Sequence, residues 1–155
     1  MEDGRLDSIE FAKFLLQRAD FKKVPINMTK LQKLIYICDG IMLANDANYI
    51  NERAKALPYG PVYPRVYKWY AGIIDNNISP GNISNEDMEF IKEHSIQQVV
   101  DAVLDKFSNW TAMELTNWSH QQNSPWDITI KLNNGKLGGL IAKQSMAIYF
   151  KGFIR

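Results

Sequence analysis

The sequence predicts a mainly α-helical protein, a compact single domain of seven to eight helices over residues 1–155. It leaves open one small two-stranded β-pair, between residues 53–57 and 137–142. Apolar residues recur at helical spacing along most of the chain, and several segments start with residues that favour helix N-termini. The connections between these segments are short. A chain of 155 residues with 46% hydrophobic and 23% charged residues is typical of one globular domain.

Two helices are predicted in the N-terminal part of the chain. Ser8 is expected to cap the first, over residues 8–19. Thr29 is expected to open the second, over residues 29–47, which is apolar on several faces and is therefore expected at the centre of the fold. Gly40 in its middle costs about 1 kcal/mol relative to alanine, so we expect another helix to approach closely there.

Three further helices are predicted in the middle of the chain. Pro64 suits the first turn of a helix over residues 64–74, because proline lacks the amide hydrogen that this position leaves unpaired. Ser84 is expected to cap a short acidic helix over residues 85–94. An amphipathic segment over residues 96–108 predicts the next helix.

Capping signals also predict the last three helices. Thr111 and Glu114 have the spacing of a capping box, in which each side chain bonds the backbone of the other residue. Ser124 and Pro125 predict the start of the following helix. Residues 142–153 are expected to form the last one.

The charge is unevenly distributed, although the net charge is only +1. Residues 75–105 carry seven acidic residues and one basic residue, whereas residues 128–155 carry five basic residues and no acidic one. Two interpretations stay open: two solvated faces, or a basic face that meets an acidic partner. The small net charge favours neither a nucleic acid nor a membrane surface as a partner.

Cysteine usage and the N-terminal sequence favour a cytoplasmic protein. The single cysteine, Cys38, excludes an internal disulfide and fits a reducing compartment. The N-terminus lacks the basic and then apolar pattern of a signal peptide, and no run of about eighteen apolar residues exists. We therefore expect no membrane segment.

No residue pattern indicates a catalytic, metal or cofactor site. Cys38, His94 and His120 lie far apart in sequence, without the spacing of a zinc motif, and no glycine-rich phosphate loop is present. Cys38 lies on an apolar helix stripe, which favours a buried, inert thiol. His120 follows a capped helix, so it is interpreted as fixing a turn, with a role as a general base as the alternative.

Asp39 lies within the apolar central helix, where an unpaired carboxylate would be costly. We therefore expect a basic or hydrogen-bonding partner, with Arg53 and Lys33 as candidates. Functional exposure of Asp39 is the alternative.

An aromatic segment between residues 55 and 72 is the strongest candidate for binding a partner. If Pro64 starts a helix, Tyr63, Tyr67 and Tyr70 share one face, and Trp69 lies on a neighbouring face with Val66 and Ile73. Core packing, a protein interface and base stacking are all open, although stacking also needs a basic groove that the sequence does not indicate. The candidate partner-binding residues are Tyr59, Tyr63, Arg65, Tyr67, Trp69 and Tyr70.

Three blocks of the sequence resemble the Panacea domain family, which occurs in SocA-like and GepA-like bacterial and phage-associated proteins. They are KLQKLIYICDGIMLA (residues 30–44), AKALPYGPVYPRVYKWY (54–70) and LTNWSHQQNSPW (115–126). The chain departs from the family pattern at Asp39–Gly40 and Leu57–Pro61, which vary common family choices, and in lacking a basic residue directly after Trp126. The family-motif positions, interpreted as structural, are Lys30, Leu31, Gln32, Lys33, Leu34, Tyr36, Asp39, Gly40, Gly60, Pro61, Pro64, His120, Pro125 and Trp126, and Tyr59, Val66 and Tyr67 also match.

The resemblance implies an antitoxin that neutralises a cognate toxin protein, with no enzymatic activity and no cofactor. It leaves two modes open: direct binding, and delivery of the toxin to an energy-dependent protease. A DNA-binding autoregulator is the alternative function, although the basic residues are too sparse to favour nucleic acid. A hydrolase that uses His120 is a third hypothesis. Oligomeric state is not predicted.

Overall fold

Eight helices and four short strands form the part of the chain that the structure, a computed structural model, describes, namely residues 4–71, 78 and 80–153. The prediction of a mainly α-helical fold with seven to eight helices is therefore confirmed. The helices are α1 (Ser8–Phe21), α2 (Met28–Ala44), α3 (Pro64–Trp69), α4 (Asn85–Glu93), α5 (Ile96–Phe107), α6 (Ala112–Ser119), α7 (Pro125–Leu132) and α8 (Lys143–Lys151). The strands are β1 (Leu6–Asp7), β2 (Ile50–Asn51), β3 (Lys55–Leu57) and β4 (Gly60–Val62).

Helix α2 is the central element, and most of its residues are buried. It packs against α1, α5, α6 and α8, so its apolar surface is covered on several sides as predicted. Gly40 is where α8 approaches, because a Cβ at this position would overlap the ring of Phe150. The predicted close approach at Gly40 is confirmed. Within the described residues, no helix is both long and apolar enough to span a lipid bilayer.

Two pairs of short strands complete the fold. The parallel pair β1–β2 places Leu6 opposite Ile50, and the antiparallel pair β3–β4 is a tight hairpin in which Leu57 lies opposite Gly60. Gly60 has a φ of +107°, which glycine tolerates and other residues rarely adopt. The sequence predicted neither pair, since strands of two or three residues are too short to show an alternating pattern.

The predicted contact between residues 53–57 and 137–142 exists in a reduced form. Lys55 and Leu140 form a single antiparallel bridge, and the amide of Ile141 donates to the carbonyl of Ala54 at 2.8 Å. The strand that pairs with β3 is β4, however, because the short hairpin turn places β4 directly beside β3. The prediction was right about which segments meet and wrong about which strand pairs with β3.

The starts of the first two helices differ from the prediction. Asp7, not Ser8, caps α1, and its carboxylate accepts from the amide of Ile9 at 2.8 Å. The Ser8 hydroxyl instead donates to Glu52 Oε1 at 2.6 Å. Asn27, not Thr29, caps α2, and α2 ends at Ala44 rather than residue 47 because Asp46 takes a left-handed φ of 61°.

The later capping predictions are confirmed. Ser84 caps α4, and Ser124 caps α7 with Pro125 in its first turn. Thr111 and Glu114 form the predicted capping box of α6. Helix α3 begins at Pro64 as predicted and ends at Trp69, while the predicted continuation over residues 72–74 lies outside the described residues.

Candidate partner-binding site

The side chain of Gln32 fixes the start of the aromatic helix α3. Its Oε1 accepts from the amide of Tyr63 at 2.7 Å, and its Nε2 donates to the carbonyl of the same residue at 3.3 Å. The amide group of Gln32 thus replaces a strand partner for Tyr63, which is the residue that precedes α3. The first and second motif blocks are joined at this point.

The hairpin packs onto α2 and α6 through a glycine. A Cβ at Gly60 would lie 2.5 Å from Ser119 Oγ and 2.6 Å from Lys33 Cε, so no larger residue fits without displacing them. Lys33 Nζ donates to the carbonyl of Pro61 at 3.4 Å, which is a long hydrogen bond. Burial lowers the pKa of Lys33 to about 8, since little around it compensates the ammonium charge.

Trp126 and His120 join the third block to the hairpin. Trp126 Nε1 donates to the carbonyl of Leu57 at 2.8 Å, and the His120 ring stacks on the Trp126 ring with centroids 3.9 Å apart. The Nε2 atom of His120 is buried without a hydrogen-bond partner among the described residues. Burial, and then the charge of Lys33, lower the pKa of His120, which favours the neutral form of its ring.

Asp39 is fully buried, and its partners are not the expected ones. The Tyr63 hydroxyl donates to Asp39 Oδ2 at 2.8 Å, and Lys143 Nζ lies 3.5 Å from the same oxygen. The predicted partners Arg53 and Lys33 are wrong: Arg53 donates to backbone carbonyls of residues 140 and 141, and Lys33 bonds the hairpin. Lys143 was missed because no local pattern links positions so far apart in sequence.

The electrostatics of Asp39 are dominated by its burial. Desolvation raises the pKa of Asp39 to about 6, although Lys143 and the Tyr63 hydroxyl act in the opposite direction. Burial also lowers the pKa of Lys143, and its Nζ has two further acceptors, the carbonyl of Ile50 and Asn48 Oδ1. Oδ1 of Asp39 has no hydrogen-bond partner among the described residues. The carboxylate is thus incompletely compensated.

Most motif positions lie in the interior. Cys38, the thiol next to Asp39, is also buried, and burial raises its pKa, which keeps it in the thiol form. Pro64, His120 and Trp126 are partly buried. The buried motif residues are Lys30, Leu31, Gln32, Lys33, Leu34, Tyr36, Asp39, Gly40, Gly60, Pro61, Val66 and Pro125.

The structure divides the candidate aromatic residues differently from the prediction. Tyr63, Val66 and Tyr70 are buried, so the expected shared face of Tyr63, Tyr67 and Tyr70 is wrong. Tyr63 precedes the helix in an extended conformation, so helical spacing does not apply from it. Tyr63 and Tyr70 therefore cannot contact a partner that docks on the folded surface, although both were candidates.

The remaining candidates are exposed. Tyr67 is 56% and Trp69 58% exposed on α3, and Tyr59 is 72% exposed in the hairpin turn. Lys13 Nζ lies 5.0 Å from the centre of the Trp69 ring, a cation–π contact that still leaves Trp69 more than half exposed. Arg65 is also exposed and pairs with Asp7 at 2.6 Å. We call the exposed part of α3 the α3 surface; Arg65 and Trp69 lie on one side of the helix and Tyr67 on the other.

Comparisons with known proteins agree with the three sequence blocks. The family described as Antitoxin SocA-like, Panacea domain, matches residues 31–127, which is more than half of the chain. Antitoxin SocA of Caulobacter vibrioides (strain NA1000 / CB15N) is 28% identical over 131 residues, covering 79% of this chain and 70% of that relative. No solved structure matches the chain significantly. The matched range contains the Gln32–Tyr63, Gly60–Ser119 and Trp126–Leu57 contacts described above.

Proposed function

The chain belongs to the family of SocA-like antitoxins with a Panacea domain, and on this premise we propose that it is an antitoxin that neutralises a cognate toxin protein by binding it. The antitoxin role follows the family. Direct binding and its location are our proposal, and the exposed aromatic residues of α3 are the observation that carries them.

The α3 surface supports a protein-binding role. Tyr67 and Trp69 remain more than half exposed on a helix of only six residues, whereas Val66 and the flanking Tyr70 are buried. Tryptophan, tyrosine and arginine are the residues that contribute most often to protein–protein binding energy. Gln32 holds the start of α3 on α2, so the surface is held in place before a partner arrives, which lowers the entropy lost on binding.

We propose that neutralisation needs no catalysis by this chain. The polar motif residues Gln32, Asp39 and Lys33 are buried and bonded to other parts of the fold, where they support it. His120 is stacked on Trp126, with its Nε2 atom turned into the interior. This arrangement supports the structural interpretation of His120 over its use as a general base.

Co-expression with the protein encoded beside this gene tests the proposal. The wild-type chain is expected to restore growth of cells that express the neighbouring protein and to co-purify with it. Tyr67→Ala and Trp69→Ala are each expected to weaken this complex by at least about tenfold, the effect typical of a residue central to an interface. Met113→Ala, which truncates another exposed apolar residue, on α6, is the matched control and is expected to bind normally.

Two outcomes would contradict this proposal at different levels. If the neighbouring protein is not toxic, or if its toxicity survives co-expression, the antitoxin role fails. If the α3 variants neutralise as well as the wild type while retaining their melting temperature, the proposed location fails and the role stands. The melting temperature separates loss of binding from loss of fold.

The amount of toxin during neutralisation distinguishes direct binding from delivery to a protease. Direct binding predicts a constant toxin level, whereas an adaptor predicts a fall that disappears in a host lacking energy-dependent proteases. DNA binding stays a prediction that no feature of the fold favours. A mobility shift with promoter DNA that is lost steeply as salt rises would support it.

A further inference from the structure

A groove between α7 and α8 has no lining residue in common with the α3 surface. Its volume is about 230 Å³, below the roughly 300–1,000 Å³ of typical small-molecule sites, so it fits an anchoring side chain of a protein better than a free ligand. Leu132 is 83% and Leu140 48% exposed along it, and Ile128 is 36% exposed. We call this feature the α7–α8 groove.

Small residues leave the groove open. Gly139, Ala142 and Ser145 form part of its lining. The side chain of Asn133 cannot fill the space freely, because its Nδ2 donates to the carbonyl of Lys136 at 3.1 Å. A groove with protruding leucines and a lining of small residues is suited to receive apolar side chains from outside.

Four cationic residues lie on the segments that flank the groove. Lys55 lies opposite Leu140 in the β-bridge, and Arg53 donates to the carbonyl of Leu140 at 3.3 Å. Lys131 and Lys136 lie on α7 and in the loop that follows it. Lys55 and Lys136 have no ion pair with any residue that the structure describes.

Among the residues that the structure describes, few acidic side chains lie on the segments that carry these cations. Residues 128–155 contain no acidic residue. Asp127 lies in the first turn of α7 and pairs with Lys131 at 2.7 Å, so it neutralises one cation. Glu52, next to Arg53 in sequence, instead faces α1 and α3, where it accepts from Ser8 and from the amide of Arg65.

We propose that the α7–α8 groove binds an acidic segment of the toxin whose apolar side chains enter the groove between Leu132 and Leu140. This inference rests on the proposed function and adds the chemistry of the partner: leucine-like anchors flanked by aspartate or glutamate. The apolar contacts supply affinity, and the cations around them select and attract the acidic segment.

Two other occupants fit the groove less well. In a twofold dimer through this face the cations of the two copies would meet, and a contact with the acidic face of another copy would not close into a symmetric dimer. An anionic membrane would favour a continuous apolar face on one helix, whereas here the leucines flank a concavity lined by Gly139 and Ser145.

The test measures binding of the toxin encoded beside this gene by titration calorimetry. Leu132→Asp is expected to raise the Kd at least about tenfold, because it places a carboxylate where an apolar anchor docks. The pair Lys55→Glu/Lys136→Glu is expected to raise the Kd similarly and to reduce its salt dependence. The controls are Met113→Asp, another exposed apolar site, and Lys92→Glu/Lys106→Glu, an equal charge change on α4 and α5.

Each result supports or overturns the inference. Weaker binding by both groove variants, with normal binding by both controls and unchanged melting temperatures, supports it. Wild-type affinity of the groove variants overturns it and leaves the proposed function intact, whereas absence of wild-type binding overturns both. If the native mass of Leu132→Asp is half that of the wild type, the groove binds a second copy of the chain. If the wild type binds phosphatidylserine–phosphatidylcholine vesicles and Leu132→Asp does not, the groove binds a membrane. Either result overturns the toxin assignment.

Discussion

The hydroxyl of Tyr63 donates to Asp39 Oδ2 at 2.8 Å in an environment where both side chains are fully buried. This bond joins the residue before α3 to the middle of α2. Burial raises the pKa of Asp39 to about 6, so near neutral pH the bond stabilises a carboxylate that is otherwise poorly compensated.

Removing this hydroxyl is expected to destabilise the protein in a pH-dependent way. Tyr63→Phe should lower the free energy of unfolding near pH 7 by about 1–3 kcal/mol, the cost of leaving a buried charged acceptor without its donor. The loss should be smaller near pH 5, because Asp39 is then mostly protonated in the folded state. Urea denaturation at both pH values measures the difference, and an equal loss at the two values would contradict the role of Asp39.

The buried ammonium of Lys33 is expected to cost stability. Its folded pKa of about 8 lies below the ordinary value of 10.5, so between these values the unfolded state binds more protons and stability rises with pH. Relative to Lys33→Met, the wild type should therefore gain about 1 kcal/mol between about pH 8 and 9. Denaturation of the two proteins side by side checks this, because the contributions of the other titrating groups cancel in the difference. If the two plots of unfolding free energy against pH are parallel, Lys33 is not desolvated.

A methyl group at Gly40 is expected to disrupt the contact between α2 and α8. Gly40→Ala should destabilise the protein by about 1–3 kcal/mol, even though alanine favours the helix, because the added Cβ overlaps the Phe150 ring. In a Phe150→Leu background, Gly40→Ala should lower the free energy of unfolding by less than it does in the wild-type background. The four proteins form a thermodynamic cycle in chemical denaturation, and additive effects would contradict the clash.

His120 is expected to act through its ring. His120→Ala should lower stability by about 1 kcal/mol because the stack on Trp126 is lost. His120→Phe is the matched control: it keeps an aromatic ring and removes the unpaired Nε2, so its stability should approach that of the wild type. Both should neutralise toxin in proportion to their folded fraction. Loss of neutralisation by a stably folded His120→Phe would indicate a chemical role instead.

Helices and most of their caps were predictable because their signals are local. The Thr111–Glu114 box and the Ser124–Pro125 start lie within a few residues of the structure they determine. The cap of α1 was misassigned by one position, since Asp7 and Ser8 are both good capping residues and a tertiary contact to Glu52 engages Ser8.

The candidate site was predictable as a segment but not residue by residue. The aromatic segment was identified from composition, yet which of its rings enter the core depends on where the helix begins. Tyr63 lies just before α3, and Gln32 fixes its backbone from a different part of the chain. The Asp39–Lys143 pair and the α7–α8 groove also arise from distant segments, so no local pattern could indicate them.

The two hydrogen bonds between the Gln32 side chain and the backbone of Tyr63 have a consequence for engineering. They hold the entry to α3 without using any outward-facing side chain, and Val66 and Tyr70 anchor the helix from below. We therefore expect that positions 65, 67 and 69 can be randomised together in a selection library, with the loss only of the surface contacts Arg65–Asp7 and Lys13–Trp69. A chain built in this way is a starting point for binders re-targeted to proteins of choice.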